Sequence, residues 1–430
     1  MNPRTRFITL SAAAASLVLA LSACSSGASE NSGVEGETGA EDVTLSIGTF
    51  NEFGYEDLFS EYEELNPNVT IEHKKAATSD EARDNLTTRL AAGSGLSDIE
   101  GIEMDWLPEL LEYSDQFADL ADPAVEGRWL DWKSAAATTE DGALIGYGTD
   151  AGPQGVCYRA DLFEAAGLPS DREAVAEMLE GDWQNYFDAG KEFVAASDGV
   201  AWFDSAGATY QGMINQVENA YEENDGTVIA TENPEVKDIY EQVLQASVED
   251  GLSAHLTQWE PDWVASFQSD AFATKLCPGW MLGIIEGNAE GVEGWDIADV
   301  FPGGGGNWGG SYLTVPTQGA HQAEAKKFAE WLTAPEQQIK AFESKGNFPS
   351  QVEALESETL LSQTDPFFND APTGEILVDR ANAIEVRPFK GPKYFPINTA
   401  LQQALTRVDV NQTDDADSSW EKFVTAVGAL

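Results

Sequence analysis

The sequence predicts an α/β fold in two lobes, and three observations lead there. The 430 residues exceed the size at which a single compact core stops growing, so two domains are expected. Strand-like and helix-like runs alternate from Val43 to Met104, and the alternation starts again after Gly148.

The first lobe opens with Val43 to Phe50, where Val43, Leu45 and Ile47 alternate with polar residues at the period of a strand. Tyr55, Leu58, Phe59, Tyr62 and Leu65 then recur at helical spacing until Asn66 and Pro67 stop the run, ahead of an extended Val69 to His73. Ser79 is placed to cap a second helix that carries Leu86 and Leu90 and ends at Gly93, and Ile99 to Met104 reads as another strand. This alternation implies a parallel sheet, and open sheets of that type bind ligands in the crevice beyond the carboxyl ends of their strands. Here those ends are Phe50, Asn51 and the turn to Tyr55, then Asp105 and Trp106.

In the second lobe a strand is expected around Val156 to Tyr158, with helices near Asp161 to Ala166, Asp182 to Ala196 and Glu235 to Glu249. Extended segments follow at Phe272 to Leu276 and Met281 to Ile285, then a glycine-rich loop, Gly303 to Gly306, and a strand at Tyr312 to Val315. A helix at Ala323 to Leu332, a break at Pro335 and a further helix through Phe342 read as amphipathic packing units.

Charge excludes one class of partner. Seventy-five Asp and Glu stand against 23 Lys and Arg, a formal net charge of −52, so nucleic acid is repelled over most of the surface. The acidity by itself says only that the surface is well hydrated. The chain is 42% hydrophobic with 12 Trp, enough to build large cores and to rule out wholesale disorder.

Residues 1–23 have the charged, apolar and small-residue regions of an export signal: Arg4 and Arg6, the apolar run Ser11 to Leu21, then Ser22 and Ala23 before Cys24. That ending resembles the bacterial lipobox, in which the cysteine, here Cys24, is lipidated and becomes the mature N-terminus. Residues 24–42 are rich in Ser, Gly, Glu and Ala without apolar periodicity and form a flexible acidic tether with a reach of roughly 20–25 Å. Setting Cys24 aside leaves Cys157 and Cys277, an even number in an exported chain, which predicts a disulfide; two buried free thiols are the alternative.

Catalytic and metal chemistry lack apparatus. The three His, at 73, 255 and 321, are too far apart for a local metal motif, and no Cys pair has zinc-ribbon spacing, so neither a metal nor a cofactor is expected. Gly303 to Gly306 is followed by Asn307 and Trp308 rather than by Lys with Ser or Thr, which argues against a phosphate cradle. No Gly-x-Ser-x-Gly elbow occurs. Paired carboxylates for glycoside hydrolysis stay open, since an acidic chain supplies many pairs and sequence does not measure their separation.

The positive signal is the placement of Trp106, Trp202, Trp280 and Trp308 at strand ends or in loops. An indole stacks on the flat C–H face of a sugar ring while amide, hydroxyl and carboxylate groups take its hydroxyls. For any one Trp, core packing is the competing reading.

Several runs carry a family resemblance: Gly48-Thr49-Phe50 with Phe53-Gly54-Tyr55, Gly148-Thr149-Asp150 with Gly152-Pro153, and Cys157-Tyr158-Arg159 with Asp161-Leu162-Phe163. Gly181-Asp182-Trp183, Asp204-Ser205, Cys277-Pro278 with Trp280-Met281-Leu282-Gly283, Asn307-Trp308-Gly309-Gly310-Ser311 and Trp331-Leu332-Thr333-Ala334-Pro335-Glu336-Gln337-Gln338 complete the set. With the lipobox and acidic tether, the chain resembles the family 1 extracellular solute-binding lipoproteins of bacterial ATP-driven sugar importers. It is most similar to the cellobiose and cello-oligosaccharide binding proteins of actinobacteria.

The resemblance implies a type II periplasmic-binding-protein-like fold, two α/β lobes joined by crossing segments and closing over a sugar. We expect lobe 1 to comprise 43–148 and 309–363, and lobe 2 to comprise 149–308 and 364–430. It further implies a monomer that is no enzyme, lipid-anchored on the outer face of the cytoplasmic membrane, with an oligosaccharide and the transmembrane subunits of an ABC permease as partners.

Trp280, after a Cys-Pro turn, and Trp308, among glycines, are the expected stacking platforms. Phe50 and Tyr55 flank the first strand-to-helix turn, at the cleft or in the core. Asp105, Asp150 and Asp204 are candidate acceptors for sugar hydroxyls, and Asn51, Gly310 and Ser311 for the rim. Trp202 either extends the stacking surface by a subsite or packs beneath the lobe, and Trp259 and Trp263 carry the same ambiguity. A secreted glycoside hydrolase acting on β-glucans and a surface-display lipoprotein without a small ligand are the rival readings.

Overall fold

The computed structural model describes residues 41–430. The export signal, Cys24 and most of the tether lie outside the described residues. Asp42–Leu430 forms one compact unit containing two sheets.

The first sheet has the order β2-β1-β3-β9-β4, with β1 at Val43–Phe50, β2 at Val69–Ala76, β3 at Ile99–Glu103, β4 at Tyr147–Gly148 and β9 at Ser311–Thr314. β1 runs parallel to β2 and β3, as the alternation requires, but β9 pairs antiparallel with both β3 and β4. The sheet is therefore mixed, because β9 returns from the second lobe rather than through a local crossover helix. Leu45 and Ile47 are fully buried, and helix Glu56–Leu65 lays Leu58, Phe59 and Tyr62 into the same core.

Helix Ser79–Ala92 is capped by Thr78, whose hydroxyl accepts from Glu81 N at 3.2 Å, while Glu81 reaches back to Ala77 N at 2.9 Å. Ser79 is thus displaced as the cap by the residue before it. Its hydroxyl instead accepts from Trp106 Nε1 at 3.0 Å and ties the buried indole at the end of β3 to this helix.

The second sheet has the order β6-β7-β5-β8, with β5 at Gln154–Arg159, β6 at Ala201–Phe203, β7 at Phe272–Pro278 and β8 at Trp295–Ala298. β5 is antiparallel to β7 and β8. Cys157 and Cys277 lie on the adjacent strands β5 and β7 with Cα atoms 5.5 Å apart and form the expected disulfide. Met281 to Ile285 is a helix, Met281–Asn288, and not a strand. A five-residue apolar run is ambiguous in period, and here Met281, Leu282 and Ile285 bury one helical face.

Three runs cross between the sheets side by side. Pro153 bridges Asn307 and Asp150 bridges Pro349. Thr149 N donates to Ser311 O at 2.9 Å, Trp308 N to Gly152 O at 2.8 Å, and Ala151 N to Phe348 O at 2.8 Å. Gly152 is needed for this approach, since a Cβ there would lie 1.8 Å from the Trp308 carbonyl oxygen. Among the described residues no helix is long and apolar enough to cross a membrane.

Candidate functional site

The two sheets and their crossing runs enclose a cleft of about 310 Å³, within the range of small-molecule sites. Phe50, Asn51, Tyr55, Asp105, Asp150, Trp280, Trp308, Gly310 and Ser311 all line it. The strand ends supply the first lobe's share: Phe50 closes β1, and Asn51, at φ 47°, turns the chain across the mouth. Phe50 and Tyr55 serve core and cleft together, each buried yet bordering the cavity.

Asp105 and Asp150 are buried acids with defined partners. Asp150 Oδ1 accepts from Ser311 N at 2.8 Å and from Thr149 Oγ1 at 2.7 Å, locking two crossing runs together. Asp105 forms an ion pair with Lys390, both side chains nearly enclosed. Lys390 is presented by a run in which Phe389 N donates to Glu218 O at 2.7 Å and Lys393 N to Glu222 Oε2 at 3.1 Å. Beneath Gly310 lies Lys133, fully buried, with its Nζ 3.9 Å over the Tyr312 ring. Burial lowers the Lys133 ammonium to a pKa of about 8 despite the opposing pull of Asp150 and Glu103.

Trp280 and Trp308 are both half-buried on the cavity wall. Trp280 Nε1 donates to Trp308 O at 2.8 Å. Trp259 joins them: its ring stacks on Trp280 at 27° and 6.1 Å, and its φ of 73° is unusual for an aromatic residue. Trp263 is fully buried.

Two candidates lie elsewhere. Trp202 is fully enclosed among Phe163, Tyr186 and Phe193, so it packs the second lobe's core and offers no subsite. Asp204 is buried and absent from the lining; Lys275 Nζ sits 2.8 Å from its Oδ2, and Trp263 Nε1 donates to the same oxygen at 2.8 Å. Lys275 in turn stands 5.6 Å from the Trp308 ring centroid, so Asp204 supports that indole from behind.

Sequence reasoning missed a polar wall. Asn398, Gln402 and Thr406 face the cavity from helix Tyr394–Asp409, whose Ile397, Leu401, Leu405 and Val408 face the core. The four-residue spacing of those polar groups opposite an apolar stripe was the available signal. Gln211, from helix Ala206–Ile214, accepts from Asn398 Nδ2 at 2.9 Å. Asp409 ends the wall and accepts from Ser247 Oγ, Ser253 Oγ, Ala206 N and His255 Nδ1 at 2.7–3.1 Å. Among the described residues no group of three or more His, Cys, Asp or Glu is placed to hold a metal ion.

Flat indoles and amide and carboxylate groups in one lining can stack on a ring and bond its hydroxyls. The arabinooligosaccharide-binding protein of Bacillus subtilis (strain 168) is 26% identical over 389 residues, covering 84% of this chain and 85% of that one. A lactose-binding protein of Rhizobium radiobacter is 25% identical over 56% of each chain. A crystal structure titled extracellular solute-binding protein family 1 is 51% identical, covers 90% of this chain and 99% of its own, and superposes with a TM-score of 0.79. A binding protein from B. animalis subsp. lactis Bl-04, solved with β-1,6-galactobiose, shares the fold at a TM-score of 0.78 and 18% identity, with 89% and 96% of the two chains covered. The model of the bacterial extracellular solute-binding proteins matches residues 57–369. The chain is a binding protein and not an enzyme, and it belongs to the bacterial extracellular solute-binding protein family.

Proposed function

We propose that this chain captures cellobiose or a related β-linked oligosaccharide outside the cell and delivers it to the membrane subunits of an ABC importer. The observation that carries the reading is the cleft itself, whose lining brings three indoles together with amides and carboxylates. An open form takes the sugar, bonds to both lobes favour the closed form, and the closed form docks on the permease. The oligosaccharide-binding names of the relatives support the class of ligand, and the run of family motifs supports cellobiose within it.

The working division is lobe 1 at 43–148 with 309–363 and lobe 2 at 149–308 with 364–430. Phe50, Asn51, Tyr55, Asp105, Asp150, Trp280, Trp308, Gly310 and Ser311 are the proposed ligand-binding residues. Lipidation of Cys24 holds the monomer at the outer face of the cytoplasmic membrane.

The test is a thermal-shift panel of cellobiose, cellotriose, arabinobiose, maltose and β-1,6-galactobiose, with product analysis after incubation. A ligand at a hundred times its dissociation constant adds about 2.7 kcal/mol of stability. Cellobiose or cellotriose giving the largest shift, with no shorter products, is the expected outcome. No shift with any saccharide contradicts the reading, and a larger shift with one of the others reassigns the sugar.

A further inference from the structure

Six carboxylates line the cleft: Glu52, Asp80, Glu103, Asp105, Asp150 and Asp409. Among the described residues no Lys, Arg or His shares that lining. The cations nearest these acids stand behind the lining. Lys390 pairs with Asp105, Lys75 with Glu52, and His255 with Asp409. Lys133 is shut away over the Tyr312 ring, and the Arg83 guanidinium is spent on Glu109 at 2.5 Å and on the face of Phe395.

A second observation comes from hydrogen bonding. Two cleft residues hold buried polar atoms without a partner, Asn51 Oδ1, an acceptor, and Gln258 Nε2, a donor, so a hydroxyl, which both donates and accepts, suits both. The charged groups of the lining are all carboxylates, so a ligand group that meets them must bring N–H or O–H. The environment already resists the negative charge it holds: burial, with Asp105 next in effect, pushes the Glu103 carboxyl well above the usual range.

We infer that the cleft selects its ligand by charge, taking neutral saccharides and those bearing an ammonium group and rejecting those bearing a carboxylate, such as uronic acids. The inference rests on the oligosaccharide reading above. A hydroxyl donates and accepts, and an ammonium donates three times and is attracted by the lining. A carboxylate donates nothing and meets a lining whose charged groups are all acids. The indoles fix where the ring sits, and the acids decide which substituents it carries.

The experiment is titration calorimetry on the mature protein at low ionic strength and in 1 M NaCl. The probes are cellobiose, the β-1,4 dimer of glucosamine and β-1,4-linked glucuronosyl-glucose, below the pKa of the amine. At low salt the amine dimer binds at least as tightly as cellobiose, and the uronate binds at least about tenfold more weakly. Salt narrows both gaps, as screening of charge requires. A uronate within about threefold of cellobiose, or an amine dimer tenfold weaker than cellobiose, overturns charge selection and leaves the sugar reading intact. Binding by the amine dimer alone supports charge selection and removes the cellobiose reading. Silence from all three removes both.

Discussion

The indole planes of Trp280 and Trp308 stand at 86° with centroids 5.7 Å apart, tied by the bond from Trp280 Nε1 to the Trp308 carbonyl. The two rings form a corner rather than a sandwich, so a sugar stacked on one presents its edge to the other. Removing either ring opens the corner. Trp308→Ala is expected to weaken saccharide binding by about 2 kcal/mol or more, roughly thirtyfold. Its half-exposed position should leave the denaturation midpoint nearly unchanged, which calorimetry and a urea melt check together.

The Asp105–Lys390 ion pair joins the end of β3 to the run ahead of helix Tyr394–Asp409 through two nearly enclosed side chains. Lys390→Met leaves Asp105 buried without its counter-ion, at an expected cost of about 3–5 kcal/mol. Asp105→Asn combined with Lys390→Met should recover most of that loss, because a neutral pair needs no compensation. A double-mutant cycle by chemical denaturation gives the coupling, and additive losses contradict it.

His255 and Asp409 tether the loop that carries Leu256, Thr257, Gln258 and Trp259 to the cleft. Asp409 holds the imidazole above its ordinary pKa of 6.5, more strongly than burial lowers it. A raised folded-state pKa gives stability that is fully present below 6.5 and is lost as pH rises through the raised value. The stability gap between the natural protein and His255→Gln should therefore be widest in acid and shrink above neutrality. Urea midpoints between pH 5 and 9 measure it, and a gap that grows with pH reverses the assignment.

The first lobe was legible because its strands and helices follow one another locally. Val43 to Phe50 and the helix after it could be placed from periodicity alone. β9 could not be assigned its antiparallel partners from pattern, since it returns from the other lobe. The helix Tyr394–Asp409 was missed although its polar stripe carries one wall of the cleft. Trp280, Trp308 and Trp202 share the same local look, yet only the first two border the cavity. The difference is set by neighbours distant in sequence: Phe163, Tyr186 and Phe193 close over Trp202, whereas the crossing runs hold Trp308 at the opening.

The disulfide closes a loop with a sequence separation of 120 residues. Chain-entropy arguments put its contribution at about 4–5 kcal/mol at most. Cys157→Ala with Cys277→Ala should lower the denaturation midpoint without altering saccharide affinity, because both sulfurs are buried away from the cleft lining. Equal midpoints with and without a reductant would remove the bond from the account.

The most direct test is a crystal structure of the mature protein with cellobiose or cellotriose. The account predicts a sugar ring against Trp280 or Trp308, its hydroxyls bonded to Asp105 from one lobe and to Asp150 or the Asn398 and Gln402 wall from the other. A saccharide seated outside this cleft, or touching one lobe only, contradicts it.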